Sequence, residues 1–345
     1  MKDGSTLTPG DIRAAQQDST LRPRDLADTL GISEAELVAA SVGHGGTRIS
    51  PELDHLMPAL NRLGEVMALT RNESCVIEKV GIYDKFHSGE HASMILNNDI
   101  DLRMFPKHWV HGYALETPTA TGMKRSIQVF DAAGDAVHKV FLRETSVVEE
   151  WDAVVEALRL PEQGDTIGVV ARATVEPPKV EPEKAEKLRA EWDKLTDTHQ
   201  FLMMVRRLKL NRLGAYRMAG APYVRPLATD SVATLLETAA AQAIPIMAFV
   251  GNMGCIEIHT GAVETYKVMG PWLNILDPGF NLHLRGDHIS EVWQVTKSTK
   301  RGDAISVEAF DKDGALIVQF FGVLADPGAA ARWNDLVGAL RGAEA

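Results

Sequence analysis

The chain has 345 residues, of which 45% are hydrophobic, and its formal net charge is −11. This length and composition suffice for a sizeable core and favour two domains over one. The acidic balance argues against a protein that mainly coats nucleic acid or an anionic membrane. The N-terminal stretch MKDGSTLTPGDIRAAQQ lacks an apolar leader region, and no run approaches the roughly 20 apolar residues that span a bilayer, so we expect a cytoplasmic protein.

A helix-turn-helix spacing occupies residues 24–40, RDLADTLGISEAELVAA. Gly31 falls in the turn, Ser33 at the start of the second helix, and alanines where two helices cross closely. A DNA-binding regulator would place the second helix in the major groove, yet this helix offers Glu34 and Glu36 and no arginine or lysine. We therefore expect a structural helical hairpin and keep the DNA-binding regulator as the alternative function.

Two short motifs resemble ligand-binding signatures but lack the sequence context that such sites need. GHGG (43–46) has no Lys-Ser/Thr after it, which argues against a phosphate loop. HSGEH (87–91) has the H-x-x-E-H pattern of a zinc peptidase, but Ser88 and Gly89 interrupt the helix that would place both histidines on one face. We expect neither a phosphate site nor a zinc site here.

Two alternating runs predict β-hairpins, SIQVFDAAGDAVHKVFL (126–142) and ISVEAFDKDGALIVQFF (305–321), and each turns at an Asp-x-x-Gly. Two further stretches, EEWDAVVEALR (149–159) and ARWNDLVGALR (331–341), predict helices with one apolar face. Those faces consist of Trp151, Val154, Val155 and Leu158 in the first helix, and of Trp333, Leu336, Val337 and Leu340 in the second.

These elements belong to an internal repeat. A shift of 180 residues aligns NESCVIEKVG (72–81) with NMGCIEIHTG (252–261), and the same register holds as far as FDAAG and FDKDG. Cys75 and Cys255 occupy equivalent positions, so a small buried core site explains them better than paired redox chemistry. Two cysteines are also too few for a disulfide framework.

A proline-rich stretch, TVEPPKVEPEKAEKLRAEWDK (174–194), separates the two copies. We predict an N-terminal repeat over 1–173, a linker over 174–184 and a C-terminal repeat over 185–345. Each copy combines helices with strands that pair mostly antiparallel. The fold class is therefore α+β, as two tandem homologous repeats, each an antiparallel sheet with flanking helices.

His199 is the residue whose chemistry is least explained by packing. If the stretch DKLTDTHQFLMMVRRLKLNR (193–212) is helical, His199 shares a face with Leu195, Leu202, Met203 and Arg206. Its imidazole then projects from an apolar stripe that ends in a cation. A buried structural histidine is the usual explanation of such a residue. The cations that follow in an otherwise acidic protein favour another one, because a haem needs a nitrogen for iron, apolar contact for the porphyrin and arginine or lysine for the propionates.

Six stretches together resemble the bacterial cytoplasmic haemin-degrading or haem-trafficking factors of the HemS/HmuS/ChuS type, over essentially the whole chain. They are RDLADTLGISEAELVAA, VMALTRNE, DIDLRMFPKHW, DTHQF, GNMGCIEIHTGAVE and MGPWLNILDPGFNLHLR. The resemblance implies two similar α+β halves with one haem in a cleft between them. It also implies that His199 is the proximal iron ligand and Arg103 the distal, catalytic residue.

Phe105 is predicted to lie two residues along the same strand as Arg103, so the resemblance further implies that it faces the porphyrin. It also implies that Arg212 and Lys297 contact propionates or the rim, and that Gln319 lines the pocket. The chain departs from the family pattern at Phe321 and Leu324, where a tyrosine and an arginine are expected. Met253 likewise replaces an arginine. These departures remove two cations and a phenol from the expected hydrogen-bond network and leave the axial ligand in place.

Two roles follow from the resemblance, and both are retained. A histidine ligand with a distal arginine suits oxygenase-like ring opening and iron release, and it suits equally a carrier that delivers haem to a degrading enzyme. The implied partners are a haem importer at the inner membrane face and a haem oxygenase or reductase.

Asp197 and the backbone of Leu195 are the candidate hydrogen-bond acceptors for the ring nitrogen of His199 that does not bind iron. His87 and His283 are candidate substitutes if His199 is lost.

Overall fold

The computed structural model describes residues 7–300 and 302–343. The first six residues of the stretch searched for a leader and the last two residues of the predicted C-terminal repeat lie outside the described residues. Within the described part of the chain, no helix is long and apolar enough to cross a membrane.

The protein divides into two compact units. The first comprises the chain up to residue 71 together with residues 78–172 and 251–257, and the second comprises residues 72–77, 173–250 and the chain from residue 258 onward. The two short segments 72–77 and 251–257 therefore belong to the unit opposite to the one that their position in the chain predicts. Both overlap the stretches whose sequences align across the 180-residue shift.

The first unit pairs the strands β1-β7-β8-β9-β2 in an antiparallel ladder and the strands β4-β5-β6 in a second one. Its helices are α1 (Pro9–Asp18), α2 (Pro23–Leu30), α3 (Glu34–Ala39), α4 (Leu53–Arg62) and α5 (Trp151–Leu158). The strands of this half of the chain are β1 (Gly46–Ile49), β2 (Gly64–Arg71), β3 (Cys75–Gly81), β4 (Phe86–His87), β5 (Ser93–Leu96), β6 (Asp101–Met104), β7 (His111–Thr119), β8 (Gly122–Phe130) and β9 (Ala136–Ser146).

The second unit has the same arrangement, with the ladders β10-β16-β17-β18-β11 and β13-β14-β15. Its helices are α6 (Ala185–Trp192), α7 (Gln200–Arg207), α8 (Arg212–Ala219), α9 (Ser231–Ala241) and α10 (Pro327–Ala339). The strands of this half are β10 (Val224–Leu227), β11 (Ile246–Gly251), β12 (Cys255–Gly261), β13 (Tyr266–Met269), β14 (Trp272–Asp277), β15 (Phe280–Arg285), β16 (Glu291–Thr299), β17 (Gly302–Phe310) and β18 (Leu316–Gly322). The predicted α+β fold with two tandem repeats is confirmed.

Both predicted hairpins are present, as β8–β9 and β17–β18. In the first, the Asp131 carboxylate accepts backbone hydrogen bonds from Ala133 at 2.9 Å and Asp135 at 3.0 Å, and Gly134 has a φ of 82°. A side-chain acceptor at the first turn position and a glycine at the left-handed position are the residues that this turn requires.

Both predicted amphipathic helices also form. α5 buries Trp151, Val154, Val155 and Leu158, as the periodicity predicts, and α10 buries Trp333, Leu336 and Val337. The Trp333 indole donates to the Ile305 carbonyl at 2.9 Å, so its polar atom is satisfied inside the core. Cys75 and Cys255 are both buried in these cores, which agrees with their predicted packing role.

The predicted helical hairpin over 24–40 is present as α2 and α3. Gly31 ends α2 with a φ of 71°, and Ser33 caps α3 by accepting from the Glu36 amide. α3 has only six residues and buries five of them, including Glu34. A recognition helix must expose a face to the groove, so this hairpin gives the alternative of a DNA-binding regulator no structural support.

The structure also places the two short glycine- and histidine-containing motifs. Residues 43–46 form a turn in which the Gly45 carbonyl accepts from the Glu116 amide at 2.7 Å, and a side chain at Gly45 would lie 2.5 Å from the Glu116 carbonyl oxygen. Close backbone packing therefore explains this glycine. In HSGEH, His87 ends the short strand β4 and no helix follows. No cluster of metal-ligating side chains occurs among residues 7–300 and 302–343.

Candidate functional site

His199 lies at the N-cap position of α7, and its side chain is 91% exposed. The Asp197 carboxylate accepts from the His199 backbone amide at 2.8 Å and lies 2.7 Å from Nδ1 of the imidazole. These bonds lower the pKa of Asp197, so its carboxyl stays ionised and favours a proton on Nδ1. Nε2 then presents its lone pair to solvent. Of the two predicted partners of this imidazole, Asp197 is confirmed.

The predicted continuous helix over 193–212 is wrong at both ends, because α7 ends at Arg207 and α8 begins separately at Arg212. α7 begins at Gln200, and Leu195 is buried in the turn that precedes it instead of sharing an exposed face with His199. The Gln200 side chain accepts from the Thr196 amide at 2.9 Å, and Asp197 binds the His199 amide as described. Such local side-chain bonds to the backbone compete with helical hydrogen bonds and explain why the helix starts late.

Beyond His199, α7 exposes apolar side chains. Leu202 is 40% exposed and Met203 is 64% exposed, whereas Phe201, on the opposite face, is buried. Arg206, one turn after Met203, is also exposed. An exposed imidazole beside exposed apolar groups and a cation suits the iron, the ring face and the carboxylates of a haem, so the residues present fit this group.

Arg212 and Lys297 lie around one buried carboxylate, that of Glu308. Arg212 Nη1 donates to Glu308 Oε2 at 2.8 Å, and Lys297 Nζ donates to Oε1 at 2.9 Å. Tyr216 and Ser306 add hydroxyl donors, each at 2.8 Å. Burial alone raises the pKa of Glu308, but Lys297 and Arg212 outweigh it and hold that pKa well below its usual range.

The cluster around Glu308 lies beside the helix that follows His199. Phe201 of α7 has the Lys297 ammonium 4.8 Å and the Arg212 guanidinium carbon 5.9 Å from its ring centre. Gln319 is the cross-strand neighbour of Glu308. The structure therefore brings Arg212, Lys297 and Gln319 together. The role of the two cations as propionate contacts stays a prediction, since both already pair with Glu308.

Arg103 and Phe105 lie in the first unit. Arg103 is on β6, where it forms an ion pair with Asp101 and donates to the Leu102 carbonyl at 3.1 Å. Phe105 follows the last residue of β6, not two places along the same strand as predicted, although its backbone is still extended. Its amide donates to the Gly254 carbonyl at 2.9 Å. The Asp101 partner fixes the position of the Arg103 guanidinium.

The remaining residues singled out from the sequence are also placed, among them Leu324, which is half-buried in the turn after β18. Met253 is 58% exposed, and Phe321 packs on Phe249 with ring centres 5.1 Å apart. His283 of β15 has its Nδ1 2.7 Å from the Asn274 amide oxygen. Phe321 is thus engaged in local packing.

Sequence reasoning missed Glu308, which organises the predicted cations, and Asp101, which holds Arg103. An available signal for Glu308 was its charge inside the apolar hairpin strand ISVEAF. For Asp101 the signal was its spacing of two from Arg103, because alternate residues of a strand point to the same face.

The chain is similar to known proteins over most of its length. The haemin-degrading HemS.ChuX domain matches the chain twice, at residues 31–158 and 209–340. The hemin transport protein HmuS of Yersinia pestis is 38% identical over 301 residues, which cover 87% of this chain and 86% of HmuS.

Two solved structures share the fold. Holo-PhuS, a heme-binding protein from Pseudomonas aeruginosa, is 41% identical with a TM-score of 0.93, over 98% of this chain and all of PhuS. ChuS, described as an E. coli heme oxygenase, is 32% identical with a TM-score of 0.86, over 96% of this chain and 99% of ChuS.

Proposed function

Because this chain belongs to the family of haemin-degrading HemS.ChuX-domain proteins, we propose that it binds haem for iron acquisition and either degrades it or delivers it to a degrading enzyme. The observation that carries the proposal is the geometry of His199. Its imidazole is exposed, its Nδ1 is held by the ionised Asp197, and the exposed Leu202 and Met203 follow it on α7.

In this proposal, each chain residue has a separate task. His199 Nε2 binds the iron, and Asp197 retains the Nδ1 proton, which fixes the tautomer and makes the imidazole a stronger donor. Met203 contacts the porphyrin ring, and Arg206 pairs with a propionate. Haem, when bound, would supply the iron that activates dioxygen for ring opening.

Arg103 is the proposed distal residue. A guanidinium has no lone pair to offer at neutral pH, so Arg103 does not bind iron but donates a hydrogen bond to a ligand on it. Its ion pair with Asp101 restricts the guanidinium to few orientations, which reduces the conformational entropy lost when that ligand binds. Phe105 is proposed to contact the ring.

Arg212, Lys297 and Gln319 are proposed to form the polar wall of the haem pocket, with Glu308 holding both cations in place. The partners are a haem importer at the inner membrane face and a haem oxygenase or reductase. The location is cytoplasmic, which the two buried free cysteines and the family resemblance support.

A hemin titration followed by absorption tests the ligand assignment. The protein is expected to produce a Soret band at one equivalent, and His199→Ala is expected to abolish or shift that band. His55→Ala is the matched control, because His55 is also exposed and its Nδ1 lies 3.3 Å from the carboxylate of Glu52. Equal spectral changes in the two variants would contradict the role of His199.

Degradation and delivery are separated by a second experiment. The hemin complex is treated with ascorbate or a reductase under air, with catalase present. Decay of the Soret band into a bilin absorbance would establish degradation. A band that persists, or bleaches only when catalase is omitted, would establish the carrier role.

A further inference from the structure

A chain of hydrogen-bonding side chains is buried inside the first unit. The Tyr83 hydroxyl lies 2.5 Å from His138 Nε2, and the Thr70 hydroxyl lies 2.9 Å from His138 Nδ1. Thr70 also donates to the Cys255 sulfur at 3.6 Å. One set of proton positions satisfies every contact: Tyr83 donates to Nε2, Nδ1 donates to Thr70, and Thr70 donates to sulfur.

This chain is isolated from solvent. Tyr83 is 1% exposed and His138 is 2% exposed, and the Trp109 ring centre lies 5.8 Å from that of His138. Glu257 is fully buried, with Oε2 3.9 Å from His138 Nδ1. Burial lowers the pKa of His138 to about 3, so its imidazole is neutral and its Nε2 accepts the hydrogen bond of Tyr83.

The second unit provides an internal comparison, because the 180-residue shift identifies the equivalent positions. Thr70, Tyr83, His138 and Glu257 correspond to Val250, Val263, Val318 and Ile77. These four apolar residues are all buried in the core of the second unit. The same fold is therefore built with an apolar core at these positions. The fold itself therefore does not call for polar side chains at these four positions. Buried polar groups also destabilise a core unless they are fully paired.

We propose that Tyr83 and His138 form a redox-active pair, in which Tyr83 loses one electron to an oxidant while its proton moves to His138. The O–H bond of Tyr83 breaks and an Nε2–H bond of His138 forms. The electron passes to a one-electron oxidant, of the class that peroxide generates at haem. The products are a neutral tyrosyl radical, an imidazolium and the reduced oxidant.

The surroundings of Tyr83 favour this coupled step over the alternatives. Burial holds the pKa of Tyr83 well above its usual range, so the phenolate is not reached at neutral pH. Loss of an electron makes the phenol strongly acidic, so its proton leaves with the electron, and His138 is within hydrogen-bond distance to accept that proton. Tyr113 is equally buried in the same unit, yet its hydroxyl has no hydrogen-bond partner among the described residues. Tyr113 consequently lacks a proton acceptor.

Glu257 gives the pair a pH dependence. Burial raises the pKa of Glu257 to about 8, so it is protonated at neutral pH and becomes a carboxylate above that value. The carboxylate stabilises the imidazolium formed on His138. The other titratable groups that face Glu257 are Lys79, Glu78, Cys255 and Tyr83, with Asp99 and Asp101 close to Lys79. The radical yield is therefore expected to rise as the pH passes about 8.

The test uses the full chain without haem, oxidised by a photogenerated ruthenium(III) tris-bipyridyl complex and examined by electron paramagnetic resonance. Tyr216 and Tyr223 also donate to carboxylates and add to the tyrosyl signal. The Tyr83 component of that signal is expected to be lost in Tyr83→Phe and unchanged in Tyr113→Phe. His138→Val is expected to remove it as well, and this variant should stay folded because Val318 occupies the equivalent position. Near-ultraviolet circular dichroism checks that fold. Glu257→Gln is expected to remove the rise in yield above pH 8.

Two results would overturn the proposal. One is the absence of a tyrosyl signal from the unmodified protein, and the other is a signal of undiminished intensity in Tyr83→Phe or in folded His138→Val. Either result would leave the buried set with a structural role only. The assay contains no haem, so its failure is independent of the proposed haem-binding function.

Discussion

Replacing the buried carboxylate of Glu308 is expected to destabilise the second unit strongly. Glu308 is fully buried and accepts four hydrogen bonds, from Arg212, Tyr216, Lys297 and Ser306. Glu308→Gln keeps the shape of the side chain but removes its charge. Arg212 and Lys297 then face each other without a counter-charge, and Lys297 is itself buried.

Breaking a buried ion pair by neutralising one partner typically costs about 3–5 kcal/mol, because the other charge remains desolvated. The four short contacts and full burial of Glu308 place it in that range. The loss of unfolding free energy is measured by guanidinium chloride unfolding, followed by tryptophan fluorescence. Trp192 and Trp293 report on the cluster directly, since their ring centres lie 6.2 and 6.4 Å from that of Tyr216.

A control variant and a double variant accompany the Glu308→Gln measurement. Asp313→Asn removes an exposed carboxylate that pairs with Lys312 in the same unit, and it should leave the unfolding midpoint unchanged. Adding Lys297→Met to Glu308→Gln should recover part of the lost stability, because one uncompensated cation is removed. A loss below about 1 kcal/mol for Glu308→Gln would refute the assignment of Glu308 as the counter-charge of this cluster.

Three further predictions concern single side chains. Arg103→Ala should retain hemin but alter the ligand-field spectrum, and an unchanged spectrum would place Arg103 outside the distal pocket. Asp197→Asn should weaken hemin affinity roughly 10- to 100-fold in titration, because the imidazole of His199 loses its anionic partner; unchanged affinity would contradict this role. Glu34 is buried, but ion pairs with Lys139 and Arg71 outweigh that burial and lower its pKa from 4.5 to about 2. It therefore stabilises the fold by about 3 kcal/mol above pH 4.5. This contribution should disappear as the pH falls toward 2 in unfolding experiments, and Glu34→Gln should remove that dependence.

Elements that depend on local pattern were predictable from the sequence. The apolar face of α5 is the one given by the spacing of Trp151, Val154, Val155 and Leu158. The β8–β9 turn follows from Asp131 and Gly134, whose preferences act within a few residues. The repeat itself was visible because both copies keep the same register.

Features that depend on distant parts of the chain were not predictable. Nothing local in segment 251–257 shows that it belongs to the first unit, where Cys255 joins the core. The link between Tyr83, His138 and Thr70 joins residues up to 68 positions apart. The late start of α7 depends on the hydrogen bonds that the Gln200 and Asp197 side chains accept from the Thr196 and His199 amides, and periodicity carries no information about those bonds.

The most direct test of the account is chemical rescue of His199→Gly with free imidazole during hemin titration. We expect that the variant loses the Soret band of the unmodified complex and that added imidazole restores it, because the free imidazole replaces the missing ligand. His55→Gly and hemin with imidazole alone are the controls. A Soret band that is unaffected by His199→Gly, or that imidazole restores no better than it does without protein, would contradict His199 as the iron ligand.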